Sequence, residues 1–514
     1  MVRVAPVAPV ALVVRVGLVG PAVRVVRVTA TRRHPRRRLA HRLRLAHRLR
    51  LRPQRLPPRR ADLKPGDRSA RFGASPLWSA PIAMSSIPTV PVQRLPVKLG
   101  PDPQRTVIRP FLPSDPADFA IPGHPRPGRI IARVLSLPES ALDDELARVR
   151  ASLDERHRDV DAVLLRQFDA VRDQLPDPDS VTLSHRLLIG AYLSAEYAFE
   201  SAALFNPSIV GVGEEADGAI RFVLSLRGIG EGHLSSVAFR TGCWQADGTL
   251  VLDPASETAV PPIVGPASGW HDQDMVQLDC RGSREPSETV LFPVLDSQAR
   301  GIEDLRLTPF RRKTGETTYV GTYTAVGTDA VRQELLQTDD FRNFKMHPVR
   351  GALAGAKGMA LFPRRVGGRF LAIGRQDNEN LWLFESDDPF TWNGGRKILE
   401  PRYPWEFVQI GNCGSPIEID EGWLLLTHGV GVVRNYCMGA VLLDKDDPSR
   451  VLGRLSMPLL EPGPEDRDGY VPNVVYSCGA LVRGRTMLLP YGIADEYTRF
   501  ATVPIDPLLA AMDN

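Results

Sequence analysis

One short run concentrates chemistry that a reaction could use: Gly301-Ile302-Glu303-Asp304-Leu305-Arg306. Two acids stand between a glycine turn and an arginine. Leu305 and Leu307 then alternate with Arg306 and Thr308, which reads as the start of a β-strand. A carboxylate at the mouth of a strand, with a cation two residues on, can act as a general acid. The competing reading is a turn carboxylate paired with Arg306. Asp304 is the candidate acid of this run.

The elements that would position it are strands. From about residue 205 short β-rich runs alternate with Gly, Pro, Asn and Asp turns, at 221–226, 318–323, 369–373, 380–384, 422–427, 438–443 and 486–490. Many short strands at such spacing predict a sandwich, a barrel or a propeller. An internal echo favours the propeller. A strand runs into Asp387-Asp388-Pro389, another into Asp446-Asp447-Pro448, and a third into Asp339-Asp340-Phe341. A unit recurring at about 50 residues fits propeller blades, and some 300 residues at that period give five or six.

The region before the strands divides into three. Residues 1–83 are expected to be a disordered Arg/Pro-rich tail that is not functional structure, with Met84 the more natural beginning. A secretory signal lacks its cleavage site here, and a transit peptide would be Ser-rich. Residues 84–134 read as irregular and Pro-rich. Residues 135–203 read as helical. Ser140 and Asp143 have capping-box spacing. Leu142, Leu146, Val149 and Leu153 form one stripe, and Val160, Leu164, Phe168, Val171 and Leu175 a second. Leu183 to Leu204 gives a third, more apolar helix. These stripes are expected to pack onto the main domain or a partner subunit. Residues 204–514 would then be the catalytic domain.

Charge and cysteine content exclude several functions. The net charge of +4 is misleading, because the first 60 residues hold 17 Arg and no Asp, Glu or Lys. Removing those 17 charges from +4 leaves residues 61–514 at −13, so a nucleic-acid partner is not expected. The five cysteines, Cys243, Cys280, Cys413, Cys437 and Cys478, show no C-x-x-C spacing, which argues against a disulfide framework or a zinc site. No run of about 18 apolar residues suits a membrane span.

The Gly301–Arg306 run resembles the signature of glycoside hydrolase family 130, whose hydrolases and phosphorylases act on β-mannosides. Further motifs similar to that family occur in its order: Phe205-Asn206-Pro207-Ser208, Lys357-Gly-Met-Ala-Leu-Phe-Pro363, Gly374-Arg375, Gly422-Trp-Leu-Leu-Leu-Thr-His428-Gly429, Tyr436-Cys-Met-Gly439, Gly469-Tyr-Val-Pro-Asn-Val-Val475 and Tyr491-Gly-Ile-Ala-Asp495. Each is short, but together they cover residues 204–505 or so.

The resemblance implies an all-β fold, a five-bladed β-propeller with its site in the central pocket. It makes Asp304 the general acid, acting on the glycosidic oxygen through the 3-hydroxyl of the mannosyl unit while phosphate attacks the anomeric carbon from the opposite face with inversion. Phosphate needs a cationic cradle. Lys357, Arg375 and His428 fall at the phosphate-binding positions, with Tyr436 as a supporting hydroxyl. A solvated lysine and a satisfied core histidine are the competing readings. A further lysine of the family is replaced by Gln409, which can donate a hydrogen bond but brings no charge. Asn206, Arg227 and Asp495 match positions that bind mannosyl hydroxyls, and Arg306 is grouped with them. Trp405, Tyr403 and Tyr470 could stack on sugar faces or be ordinary core and rim aromatics.

The implied reaction is inverting phosphorolysis of β-1,2- or β-1,4-linked manno-oligosaccharides to mannose 1-phosphate. It needs no cofactor beyond inorganic phosphate as co-substrate, and its expected setting is cytoplasmic. The expected partner is an oligosaccharide, with no nucleic acid and no membrane; a homo-oligomer is left open. Two alternatives stand beside this. An inverting β-mannoside hydrolase on the same scaffold needs a second carboxylate to activate water, for which Glu406 and Glu379 are candidates. A non-catalytic carbohydrate-binding propeller would not need Asp304 together with the three cations.

Overall fold

The computed structural model describes residues 90–513, apart from 176 and 267–274. The expectations for the tail at 1–83 and for a start at Met84 lie outside these residues. The described chain is mostly strand with few helices, and among the described residues no helix is long and apolar enough to cross a membrane.

The runs read as strands from sequence lie in strands, save that Arg369 and Asn380 each stand one residue before theirs. The clearest case is Gly422–Val430, buried along its whole length. Its Trp-Leu-Leu-Leu run has no polar alternation because both faces are covered. The largest sheet has 11 strands, but among the described residues a single parallel pair, Gly301 with Ser235, is the strand pairing that joins its two halves. Divided there, and apart from the two-stranded pair Thr106–Pro110 with Ser194–Ala198, the strands fall into five antiparallel groups. The first runs Ala203–Glu214, Ile220–Ile229, Ser235–Trp244, Leu250–Leu252. The second is Gly301–Arg311, Thr317–Val326, Val331–Thr338, Asn343–Pro348. The third is Lys357–Leu361, Phe370–Arg375, Leu381–Ser386, Gly395–Leu399. The fourth is Gln409–Asn412, Gly422–Val430, Tyr436–Leu443, Val451–Leu455. The fifth is Val475–Tyr476, Thr486–Ile493, Tyr497–Pro504, completed by the early strand Gln93–Leu99 pairing Gln93 with Thr502.

The Asp-Asp echo has a place in this order. Each copy links the third strand of a group to the fourth. In each, the second aspartate accepts the backbone N–H two residues on: Asp340 from Arg342, Asp388 from Phe390, Asp447 from Ser449. These are Asx turns, which fix the strand reversal locally.

Hydrogen bonds tie each group to the next. Ser208 Oγ accepts from Leu307 N, Thr322 donates to the Met359 carbonyl, and Asn412 Nδ2 donates to the Gly358 carbonyl. Tyr436 N donates to Asn473 O at 2.9 Å, and Cys478 N returns to Pro207 O at 2.8 Å, joining the fifth group to the first.

The segment before the strands departs from its sequence reading in three ways. Residues 84–134 are not irregular throughout: they hold the strands Gln93–Leu99 and Thr106–Pro110 and the helix Arg126–Leu135. Glu139–Leu153 begins at Pro138 with no side-chain cap, so the Ser140/Asp143 capping box is not formed. Proline fixes an extended entry without it. The third helix stops at Tyr192, and Ser194–Ala198 pairs with Thr106–Pro110 instead. A strand partner outweighs helical spacing there. The helices bury their stripes largely against one another, with Leu142, Leu164, Phe168 and Leu188 at the centre.

Candidate active site

Most of the candidate side chains come from the first two strands of their groups. Asn206, Asp304, Lys357 and Gln409 lie on first strands, and Arg227, Arg375 and His428 on second strands. Asp495 lies in the turn after the second strand of the fifth group.

Three first strands carry the same irregularity. Asp304 and Leu305 stand opposite a single residue of the neighbouring strand, as do Asn206 and Pro207, and Gly358 and Met359. These are β-bulges, which re-aim a side chain out of the sheet's alternation. The first residue of each is left-handed: Asn206 at φ 48, Asp304 at φ 53, Gly358 at φ 73. Asn, Asp and Gly are the residues that tolerate this. Asp304 is therefore inside its strand, at a bulge, not at the strand's mouth.

Asp304 is held from three sides. Asn206 Nδ2 donates to its Oδ1 at 2.7 Å. Arg227 Nη1 is 3.7 Å from Oδ1, and Arg306 Nη2 is 3.6 Å from Oδ2. Burial pushes the Asp304 carboxyl up, but Arg227, Arg306 and the Asn206 hydrogen bond outweigh it and hold the group below its ordinary range. Arg227 also donates to Glu303 Oε1 at 2.6 Å. Arg306 is 1% exposed and fully engaged, with Nε on Cys413 O, Nη1 on Asp304 O and Nη2 on Tyr476 Oη, each at 2.8 Å. With each nitrogen already committed within the chain and the group closed to solvent, it is not placed to bind substrate, which corrects its grouping with the sugar-binding residues. Arg306 clamps the bulge and sets the charge beside Asp304.

The cations form a second cluster. Lys357 and Arg375 are direct partners across adjacent strands. Among the described residues neither makes an ion pair or side-chain hydrogen bond, and Arg375 Nε is buried without a partner. Arg375 lies over Gly411 and against Gly358, where a Cβ at Gly411 would come within 2.6 Å of Arg375 Cδ. The glycines make room for the guanidinium.

His428 is buried, and its Nδ1 is 3.1 Å from the Asn412 carbonyl. A carbonyl only accepts, so Nδ1 carries the proton. Burial, with Arg375 and Arg306 nearby, holds the imidazole well below its ordinary range and therefore neutral. Its Nε2 is then an acceptor, and the Gln409 Nε2 at 3.1 Å must be the donor. In this arrangement His428 has no N–H to offer an anion. It orients Gln409 instead, which corrects its reading as a direct ligand. Tyr436 stacks near it at 6.0 Å, 12° from parallel.

Asp495 joins the first cluster electrostatically. Burial first, then the nearby Asp304 charge, raises its carboxyl to about 6. A carboxyl raised on folding binds more protons folded than unfolded, so stability falls as pH rises from about 4 through about 6. Asp495→Asn removes that loss. Thermal unfolding should find the variant close to wild type near pH 4 but more stable by about 1–3 kcal/mol near pH 7.5.

Glu406 does not point at the site. It is fully buried, with both oxygens 2.6 Å from Arg454 Nη2, and it accepts from Tyr403 N. A water-activating base needs a free oxygen, so the structure removes Glu406 from that role. Glu406→Gln leaves Arg454 buried without its counter-charge, and urea unfolding should show a loss of about 3 kcal/mol. Glu379 is exposed and adjoins the cluster through its carbonyl, which accepts from Ile410 N. Trp405 packs under Gly429 and Gly439 and donates to Ser456 O, and Tyr403 donates to Asp513. Both are structural, whereas Tyr470 is 53% exposed.

Glu303, Asn412, Arg434 and Tyr476 belong to the site but were not singled out as its residues. Glu303 lay in the opening motif. Tyr476, which holds Arg306, and Asn412, which holds His428 and the Gly358 carbonyl, carry no signal in spacing.

Comparison with known proteins bears on this geometry. Residues 280–514 match the model of the Glyco_hydro_130 family, described as β-1,4-mannooligosaccharide phosphorylase. A β-1,2-mannobiose phosphorylase of Listeria innocua is 33% identical over 231 residues, 43% of this chain and 63% of that protein. A β-1,2-mannobiose phosphorylase of Thermoanaerobacter sp. is 34% identical over 219 residues, 42% of this chain and 70% of that protein. A solved structure of the Listeria innocua enzyme with β-1,2-mannobiose aligns at TM-score 0.45 and 22% identity, over 62% of this chain and 93% of that one. The first of these matches thus spans under two thirds of its relative, while the second spans more. With that match and the family's motifs in order, the chain belongs to glycoside hydrolase family 130.

Proposed function

We propose that this chain cleaves β-mannosides with phosphate, inverting the anomeric carbon and releasing mannose 1-phosphate. The observation that carries the reading is the unpaired Lys357–Arg375 pair, with a buried Arg375 Nε lacking a partner, close enough for its charge to act on Asp304. A buried guanidinium nitrogen without an acceptor is costly, and an anion supplies the acceptor. The relatives' names supply the sugar: β-1,2-mannobiose is the first substrate to test.

In this reading a phosphate oxygen forms the bond to the anomeric carbon as the glycosidic C–O bond breaks, and the leaving oxygen takes a proton. Asp304 delivers that proton through the mannosyl 3-hydroxyl. It starts ionised, so it must take up a proton on binding; the hydrogen phosphate gives up one proton as it becomes the sugar phosphate, which balances the one passed to the leaving oxygen. Phosphate beside Arg375 offsets one of the charges that hold its proton off. Asn206, Arg227 and Asp495 bind the mannosyl hydroxyls. Lys357 and Arg375 hold phosphate, with Gln409 aimed by His428.

The five antiparallel groups are, on this proposal, the five blades of a propeller, with the early strand Gln93–Leu99 completing the last. The bond from Cys478 N to Pro207 O supports a closed ring. A charged sugar phosphate as product suits a cytoplasmic setting.

A second reading rests on Glu379, exposed beside the position where Gln409 lacks a charge. It makes the chain an inverting hydrolase with Glu379 activating water. One assay separates the two: incubate the full chain with β-1,2-mannobiose, with and without phosphate. Mannose 1-phosphate formed only with phosphate supports the proposal. Free mannose formed at the same rate in both overturns it.

A further inference from the structure

The chain builds one five-residue turn twice, at residues 230–234 and 431–435. The first follows the strand that carries Arg227, the second the strand that carries His428. Their backbones nearly coincide: Gly230 has φ −109, ψ −162 and Gly431 φ −108, ψ −154, while Leu234 has φ −75, ψ 123 and Asn435 φ −70, ψ 120. Gly230 N closes onto Leu234 O at 3.2 Å, and Gly431 N onto Asn435 O at 2.9 Å. In both, the third and fourth residues are left-handed: Gly232 at φ 69 and His233 at φ 60, Val433 at φ 54 and Arg434 at φ 57. Glycine takes that conformation freely, but a β-branched residue there is an outlier. Packing within the chain does not account for the valine, because Val433 is 88% exposed and Val432 78%. Strain with no packing to offset it is characteristic of a ligand contact.

The turn borders the candidate site. Arg434 lies 5.6 Å from the Tyr436 ring, and its charge acts on Asp495. Tyr436 N bonds Asn473 O, and Val471 N bonds Ala494 O, so one segment connects the turn to Asp495. On the other side Val408 N bonds Val430 O, which brings exposed Phe407 and Val408 alongside.

We propose that Val432 and Val433 are specificity-determining residues that pack against the C–H face of the leaving sugar, the ring whose hydroxyl is released. This rests on the β-mannoside reading above. The mannosyl ring lies among polar groups. The next ring extends past Arg434 onto the two valines, whose apolar surface gains by being covered.

The test uses the full chain and its Val433→Gly and Val433→Asn variants. Each is titrated calorimetrically with mannose and with β-1,2-mannobiose, and its assembly is followed by sedimentation. Val433→Gly reproduces the residue of the matched turn, so its melting temperature should hold or rise. Both variants should weaken β-1,2-mannobiose roughly tenfold while leaving mannose unchanged. A merely structural valine would move stability without separating the two sugars. Equal losses for both sugars, no loss for either, or no binding of the disaccharide by wild type overturns the proposal. So does dissociation of a wild-type oligomer on substitution, which would mean that a second copy covers the turn. Failure of the phosphorylase reading shows separately, as absence of mannose 1-phosphate from the wild-type reaction.

Discussion

Asp304→Asn should leave the fold and sugar affinity in place while turnover on β-1,2-mannobiose with phosphate falls roughly 10²- to 10⁴-fold. Asparagine tolerates the left-handed backbone that Asp304 adopts at φ 53, and its amide oxygen can still accept from Asn206 Nδ2. Arg227 keeps Glu303, and Arg306 keeps Tyr476 and two carbonyls, so neither cation is stranded. What the amide cannot do is give up a proton to the leaving oxygen. In wild type the arginines hold Asp304 below the ordinary carboxylate range, so the acid form of the free enzyme becomes rarer as pH rises. The ratio kcat/KM should therefore fall with rising pH, and the variant should lose that dependence along with its rate. Near-normal turnover by the variant on an unactivated mannoside would remove Asp304 from the mechanism.

The strand runs and their Asp-Asp turns were legible because both are local. Alternation and Asx chemistry lie within a few residues, and the structure puts each repeat at the same third-to-fourth strand link. The bulges were not legible. Nothing in Gly301–Arg306 says that Asp304 and Leu305 oppose a single residue, because register belongs to the neighbouring strand. The bulge is nonetheless what turns the carboxylate toward Asn206.

The same limit explains the misplaced roles. Arg306 and Asp304 are two apart in sequence, but Arg306 is committed to Cys413 and Tyr476, more than a hundred residues away. Glu406 is near Gln409 in sequence, yet Arg454 draws it into the core. His428 sits where an anion ligand was expected, and only the Asn412 carbonyl reveals which nitrogen holds its proton. Residue types located the chemistry; long-range partners decided which side chains remain free to perform it.

Arg375→Ala should raise the apparent KM for phosphate roughly 10- to 150-fold and leave that for the mannoside nearly unchanged, because one charge-assisted hydrogen bond is worth about 1.5–3 kcal/mol. Among the described residues Arg375 makes no ion pair with a carboxylate, and its Nε is already unsatisfied; its charge does reach Asp304, so the readout is the KM for phosphate against that for the mannoside rather than kcat. Truncation should therefore not destabilise the fold. Gln409→Lys is the converse change. Its ammonium would still donate to His428 Nε2, which now accepts from the Gln409 amide at 3.1 Å, and it would add a positive charge beside Arg375. The KM for phosphate should fall in that variant, and most of the gain should vanish at high ionic strength if the charge lies near solvent. Initial rates at varied phosphate for wild type and both variants read all of this at once. If neither substitution moves the phosphate dependence, the Lys357–Arg375 pair does not hold phosphate. The hydrolytic reading with Glu379 as the water-activating carboxylate then takes its place.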